Sequence, residues 1–328
     1  MHPTKLVISY WADSELAFVD IAKNRCHELG IQFDIYRIAH HSSWFGANRS
    51  IVKNALHLTN TLMNVLRVGF RGNFCAFGTN VCRSVFLFSW IFRQTHFIFN
   101  ELPEHKSRSP LYWLDRAIFR RARFVYVSSI PRAQFVKTLY GLTRDIGVVE
   151  NIAFHTIPNY TEGKNGGVVF AGSITPKRFS VQDIQKFQAL RDALDSKIVV
   201  YGLVARELSP KFASLLDYQG VLSHGELMQK LHNFRYALLA YYQDEPNYNL
   251  CAPLKLYEYV AAGCRVISIN RNVGLLKLAE RYPSLIFFID DPLSTLSFRD
   301  ELAFARERET FLQEALRSNE RLALAITS

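Results

Sequence analysis

The sequence predicts an α/β protein of two doubly wound, parallel-sheet domains, and three observations predict it. At 328 residues the chain is long for one ordinary core and comfortable for two. Short apolar runs alternate with stretches of helical period along nearly the whole chain, which is the pattern of parallel strands joined by crossover helices. Between Ile157 and Gly167 the sequence IPNYTEGKNGG gathers Pro, Asn and Gly, and after it the strand-helix pattern begins again. The expected domains are therefore 1–157 and 158–328.

The elements follow in order. Lys5 to Tyr10 (KLVISY) reads as a buried strand, Ser14 to Leu29 as a helix closed by Gly30, and Gln32 to Ile38 as an alternating strand. The first turn, Trp11-Ala12-Asp13, lacks the GxGxxG of a dinucleotide fold, which removes most support for a nicotinamide dehydrogenase. Ile51 to Leu66 looks helical, Thr95 to Phe99 strand-like, and Arg116 to Arg121 ends a helix. Phe124 to Ser128 is a strand, Pro131 to Leu139 a helix with proline in its first turn, and Ile146 to Val149 a short strand. In the second half Val168–Ala171, Ile198–Tyr201, Tyr236–Tyr241, Arg265–Ile269 and Leu285–Ile289 are near-continuous apolar runs, as strands covered on both faces should be. A helix is expected from about Val181, and Arg299 to Ala325 is a long helical stretch expected to cross back to the first domain.

Composition narrows the class. Hydrophobic residues are 49% and charged ones 21%, the balance of a folded chain rather than a disordered one. Five scattered cysteines, with no CxxC pair and no secretory leader pattern ahead of them, lead us to expect a reduced, cytoplasmic interior. Cys75 and Cys82 have no His or Cys at ligand spacing and read as small buried hydrophobes, so no structural metal is expected. No stretch reaches the roughly 18 apolar residues of a spanning helix. The most apolar run, Val85 to Phe92 (VFLFSWIF), is bounded by Arg83 and Arg93 and is expected to be a buried strand or helix core.

Charge is unevenly placed. Residues 1 to 160 hold 19 Lys/Arg against 10 Asp/Glu, and residues 161 to 328 hold 20 against 19, so nearly all of the net +10 belongs to the first half. From Asp34 to Glu101 no acidic residue intervenes, whereas Arg37, Arg49, Lys53, Arg67, Arg71, Arg83 and Arg93 do. An anionic partner is expected there, and an anionic membrane surface fits. Nucleic acid is not expected, because no helix-turn-helix, zinc-finger or RRM-like signature is present.

The segment richest in chemistry is Cys251 to Ile267, CAPLKLYEYVAAGCRVI. A proline precedes a helix on which Lys255 and Glu258 stand three apart, so both project from one face near its start, and Gly263 ends it. A cation and a carboxylate at a helix N-terminus suit a ligand with both phosphate and hydroxyl groups, although the same spacing also describes an ordinary surface pair.

This segment resembles the donor-binding signature of family 4 and related glycosyltransferases of the GT-B fold, in the form P-x-K-x-x-E-Y-x-A-x-G-x-x-V-I. The resemblance implies that Glu258 holds the nucleotide ribose, that Lys255 meets the diphosphate and takes part in catalysis, and that Asn249, Pro253 and Leu254 line the donor site. One departure stands out: the family spaces two glutamates as E-x7-E, and Leu250 stands where the first would be. That leaves retaining or inverting stereochemistry open.

Further segments fall in the family's order. GVVFAGSITPKR, residues 167 to 178, resembles the first strand and glycine turn of the donor domain, implying that Gly172 allows close backbone approach, with Ser173, Lys177 and Arg178 near the diphosphate. YQGVLSHGELMQKL, residues 218 to 231, resembles the turn that meets the nucleotide base, implying contacts from Gly220, Val221 and Leu222. His224, next in that turn, reads as a loop histidine. Residues 123 to 151 resemble the closing strand-helix-strand of the acceptor domain.

The resemblance thus implies two Rossmann-like domains facing a cleft, metal-independent transfer from a UDP- or GDP-linked sugar, and no cofactor beyond that donor substrate. The acceptor is expected to be a lipid-linked or polysaccharide glycan of bacterial surface synthesis such as lipopolysaccharide, made at the cytoplasmic face of the membrane by a peripheral enzyme. If the reaction inverts, Glu101 in the loop NELPEH is the expected base and His105 the second choice, since the loop follows an expected strand. Two other readings stay open: a sugar-nucleotide epimerase of similar fold, and a non-catalytic nucleotide-sugar-binding subunit.

Overall fold

The structure, a computed structural model, describes residues 5–10, 17–31, 33–39, 73–92, 94–154, 156–159, 165–175, 181–205, 214–240, 246–291 and 300–328. The turn Trp11-Ala12-Asp13, the helix expected over Ile51–Leu66, and Arg49, Lys53, Arg67, Arg71 and Arg93 lie outside the described residues, as does the side chain of Arg37. The chain divides into two units, Met1–Asn151 with Leu316–Ser328, and Ile152–Ala315.

In the first unit β1 (Lys5–Tyr10), β2 (Asp34–Ala39), β3 (Asn73–Phe77), β4 (Gln94–Phe99), β5 (Phe124–Val127) and β6 (Gly147–Val148) form one parallel sheet, ordered β2-β1-β3-β4-β5-β6. Strand alternation sorts its side chains between two layers. Phe74, Ala76, Phe97, Phe99, Val125 and Val127 face one core, filled by α2 (Thr79–Phe86), α3 (Pro110–Arg121) and α4 (Ile130–Tyr140). Cys75 and Ile98 face the other, against Phe18 and Val19 of α1 (Ala17–Glu28) and Leu322 and Ile326 of the last helix. The starts of α3 and α4 follow from sequence: Ser109 and Ser129 cap them, each with a proline in the first turn.

Two expectations are corrected here. Arg83 does not face solvent as part of a basic surface: its Nε and Nη2 donate to Asp115 Oδ1 and Oδ2 at 2.8 and 2.6 Å, and Asp115 is fully buried. The apolar run Val85–Phe92 is not wholly core, because it forms the end of α2 and a single 3-10 turn, leaving Leu87 48% and Trp90 81% exposed. A turn must reverse the chain beyond the end of the strands, and whatever lies on its outer side stays in water.

The second unit repeats the plan with β7 (Asn165–Ala171), β8 (Ile198–Tyr201), β9 (Leu216–Tyr218), β10 (Phe234–Leu239), β11 (Arg265–Ser268) and β12 (Ile286–Phe288), all parallel and ordered β12-β11-β10-β7-β8-β9. Asn165, Gly166 and Gly167, expected in the linker, instead open β7. Its core joins Val168, Phe170, Val200, Leu238 and Ile267 to Phe187 and Leu190 of α5 (Val181–Leu194). The remaining helices are α6 (His224–Leu231), α7 (Pro246–Asn249), α8 (Leu254–Ala261), α9 (Val273–Arg281) and α10 (Glu301–Thr327). No described helix is long and apolar enough to cross a membrane.

Candidate functional site

In the second sheet the chain runs outward from β7 on one side, through β8 and β9, and then outward on the other from β10. The order therefore switches between β7 and β10, and beyond the carboxyl ends of such strands α/β proteins form their ligand crevices. The segments leaving those two ends are Gly172–Ser173 after β7 and, after β10, the stretch leading to α8. Both carry the motifs expected to bind a donor.

Helix α8 is seated by its apolar residues and held along its second half. Tyr259 is buried, and its hydroxyl accepts from Ala171 N at 2.8 Å, fastening the helix to the end of β7. Tyr257 stacks on Phe311 with centroids 5.0 Å apart. At the C-terminus the buried Arg308 donates to Val260 O, Ala261 O and Pro158 O at 2.9, 2.6 and 2.7 Å, placing a cation at the negative end of the dipole. At the N-terminus Pro253 occupies the cap position and makes no side-chain cap bond, and the first-turn amides of Leu254 and Lys255 have no intrahelical acceptor. A cation thus sits at one end of the helix, and the other end presents the amides on which helix N-termini bind anions.

On the first turns Lys255 Nζ donates to Glu258 Oε2 at 2.5 Å. The other oxygen, Oε1, pairs with His224 Nε2 at 3.1 Å. Glu258 is only 2% exposed, whereas the side chains of Lys255 and His224 keep 26% and 42% of their surface. Burial alone pushes the Glu258 carboxyl up; the hydrogen bond to His224 and the charge and hydrogen bond of Lys255 outweigh it and hold the group below the usual carboxylate range. The result is an ionised carboxylate with lone pairs to spare, flanked by two nitrogen-bearing groups that reach solvent.

His224, expected as a loop histidine, is instead the first residue of α6 and part of this cluster. Its position is set by Ser223, which caps α6 in a capping box with Glu226. Just before it Gly220 takes φ +85°, a backbone conformation suited to glycine, and its carbonyl accepts from Gly202 N at 2.8 Å. Val221 is 65% exposed and Leu222 half-buried.

Gly172 is itself closely approached by Gly202, a glycine that no motif in the sequence marks out. A Cβ on Gly202 would lie 2.0 Å from Gly172 O, and Gly172 N donates to Tyr201 O at 2.9 Å. Ser173 is half-buried beside them, and Lys177 and Arg178 lie outside the described residues. Asn249 holds a neighbouring helix in place, since its Oδ1 accepts from Val273 N at 2.9 Å at the start of α9. Pro253 is buried and Leu254 half-buried, so both shape the entry to α8.

Glu101 and His105 belong to the first unit, exposed on the loop after β4. That loop is well anchored. The carbonyl of Asn100 accepts from Arg132 Nη1 at 2.6 Å, Glu104 N donates to Asp115 Oδ2 at 2.8 Å, and Tyr140 Oη donates to Glu104 O at 2.8 Å.

No family model matches the chain, and no curated protein is similar to it in sequence. Solved structures are similar to it over its full length. HepE of Anabaena, crystallised with UDP and glucose, has 13% identity and TM-score 0.65, each chain being covered completely. The UDP-forming α,α-trehalose-phosphate synthase of Burkholderia vietnamiensis has 8% identity and TM-score 0.61 over 98% of this chain and 99% of that one. The UDP-GlcNAc 2-epimerase of Methanocaldococcus jannaschii has 9% identity and TM-score 0.60 over 99% of both. At such identities the likeness is one of fold, and the chain has the GT-B fold of two Rossmann-like, parallel-sheet domains.

Proposed function

We propose that this protein is a glycosyltransferase that moves a sugar from a UDP- or GDP-linked donor to a lipid-linked or polysaccharide acceptor in bacterial surface glycan synthesis. The observation that carries the reading is the Lys255–Glu258 pair at the uncapped start of α8, placed at the switch point of the second sheet. In this reading the first-turn amides and Lys255 hold the diphosphate, and Glu258 accepts from the ribose hydroxyls. The turn at Gly220–Leu222 meets the base, and Gly172 and Ser173 bound the diphosphate side together with Lys177 and Arg178.

The chemistry follows from charge. As the glycosidic bond to the donor breaks, negative charge grows on the leaving diphosphate, and fixed cations and helix amides already aimed at it stabilise that charge more than the ground state. Lys255 serves that role without a metal ion. Glu101, exposed after β4, is the proposed base for an inverting transfer, with His105 as the second choice. Peripheral binding at the cytoplasmic face of a membrane is part of the proposal, supported by the arginine excess of the first half and by exposed Leu87 and Trp90.

A thermal-shift screen of UDP- and GDP-sugars, followed by incubation of the stabilising donor with candidate acceptors, tests the reading, because a ligand of the native state raises apparent stability. Transfer of the sugar is expected. The likeness to a UDP-GlcNAc 2-epimerase supplies the second reading, which an epimerised donor without any acceptor would favour. Donor binding with no turnover at all would favour a binding subunit.

A further inference from the structure

The cluster at the start of α8 has a property that its three members lack singly. Lys255 and ionised Glu258 cancel, so the group Lys255–Glu258–His224 is neutral overall while the imidazole is neutral and carries one positive charge once the ring is protonated. Histidine is the side chain whose charge changes across ordinary pH. Here it sits with 42% of its side chain in solvent, next to an open helix N-terminus. Glu258 accepts from its Nε2–H in either state, so the ring keeps its place while its charge changes. Among the described residues, Glu258 of α8 bonds to it, and Lys255 bonds to the other oxygen of the same carboxylate. On α6 itself, Glu226 is engaged by Ser223, whose backbone N donates to Glu226 Oε2 at 3.0 Å.

We infer that His224 is a proton-gated contact for the diphosphate of the donor: protonation of its ring supplies the second positive charge that balances the ligand's anionic groups. The inference rests on α8 being the donor-diphosphate site. Reciprocity of coupling sets the sign: if the protonated ring favours the anion, the bound anion must favour the protonated ring. Binding then takes up protons, and affinity falls as pH rises. One charge within the cluster's reach, partly screened by solvent, corresponds to about a five- to tenfold change in affinity.

The test is calorimetry of UDP with the full chain between pH 6.5 and 8.5, at pH 7.5 also in buffers of different ionisation enthalpy. The wild type should take up a fraction of a proton on binding UDP and bind it about five- to tenfold more weakly at pH 8.5 than at pH 6.5. Protonation of the free nucleotide's own phosphate works in the opposite direction, so it cannot imitate this result. His224→Gln keeps a donor toward Glu258 but cannot titrate; its affinity should no longer fall as pH rises, and it should take up no proton on binding. His224→Lys, a fixed cation, should hold the tighter affinity at pH 8.5 without a fall as pH rises, and it decides the question if the glutamine variant does not fold. Uridine, without phosphates, should show no pH dependence with any of them. UDP binding with the same pH dependence in wild type and variants, or equal dependence for uridine, overturns the role of His224 and leaves the donor site standing. Failure of wild type to bind UDP or GDP overturns both.

Discussion

Replacing Glu258 by glutamine separates the carboxylate's chemistry from its shape. The side chain is 2% exposed and bonded to Lys255 at 2.5 Å and His224 at 3.1 Å. Glutamine's oxygen can still accept from Lys255, and its amide can donate to His224 in the other tautomer, so no buried group is stranded and the fold should lose only about 1 kcal/mol. The ligand loses more. A hydrogen bond to a charged group contributes about 1.5–3 kcal/mol, and every 1.4 kcal/mol is tenfold, so UDP or GDP affinity should fall about 10- to 100-fold. Ribose contacts exist equally before and during reaction, so turnover at saturation should change far less than affinity.

The same substitution has a pH signature. The folded Glu258 carboxyl titrates below its ordinary value, so its stabilisation is present above the unfolded pKa of roughly 4.3 and is lost as pH falls through the folded value. Melting temperatures of wild type and Glu258→Gln should therefore converge as pH drops from about 5 toward 3. Calorimetry with UDP and GDP, beside melts followed by circular dichroism, reads both effects. Unchanged nucleotide affinity in a folded variant, or a stability gap that widens in acid, refutes the reasoning.

Lys255→Ala removes the cation opposite the leaving group, so transfer rate should drop more than nucleotide affinity; steady-state rates beside binding isotherms decide, and a loss confined to affinity would contradict the role. Arg308→Met strips three hydrogen bonds, two from buried carbonyls at the end of α8 and one from the half-buried Pro158, and should destabilise the protein by about 3 kcal/mol; a melt within a degree of wild type would show that those carbonyls find other partners. Joint replacement of Leu87 and Trp90 by serine should weaken binding to anionic vesicles, and raised salt should weaken it in the wild type. Vesicle binding that ignores both would remove the membrane from the proposal.

How much of the fold is legible in the sequence follows from what lies close along the chain. Strands buried on both faces announce themselves as apolar runs, and Ile198–Tyr201 and the core of Arg265–Ile269 are legible nearly to the residue. Asn73–Phe77 is not, because a five-residue run without a β-branched side chain carries a weaker strand signal even with all but Phe77 buried. Leu216–Tyr218 looks like part of a turn, since Asp217 and Tyr218 are exposed at the sheet's edge. Helix Val273–Arg281 escapes notice because the group accepting from its first amide, Asn249, lies 24 residues away.

The site divides in the same way. Lys255 and Glu258 are three residues apart, so helical geometry brings them to one face. His224 reaches Glu258 from 34 residues away and Arg308 reaches Val260 from 48 away, distances at which no periodicity speaks. Gly202 is a lone glycine after a strand, and its need to be glycine is visible only when Gly172 O arrives beside it.

The most direct measurement of the central claim is a crystal structure of the protein with UDP bound. The diphosphate should lie against the amides of Leu254 and Lys255 with Lys255 Nζ in contact, and the ribose hydroxyls should donate to Glu258. Nucleotide bound elsewhere on the chain, with the start of α8 unchanged, would contradict the account.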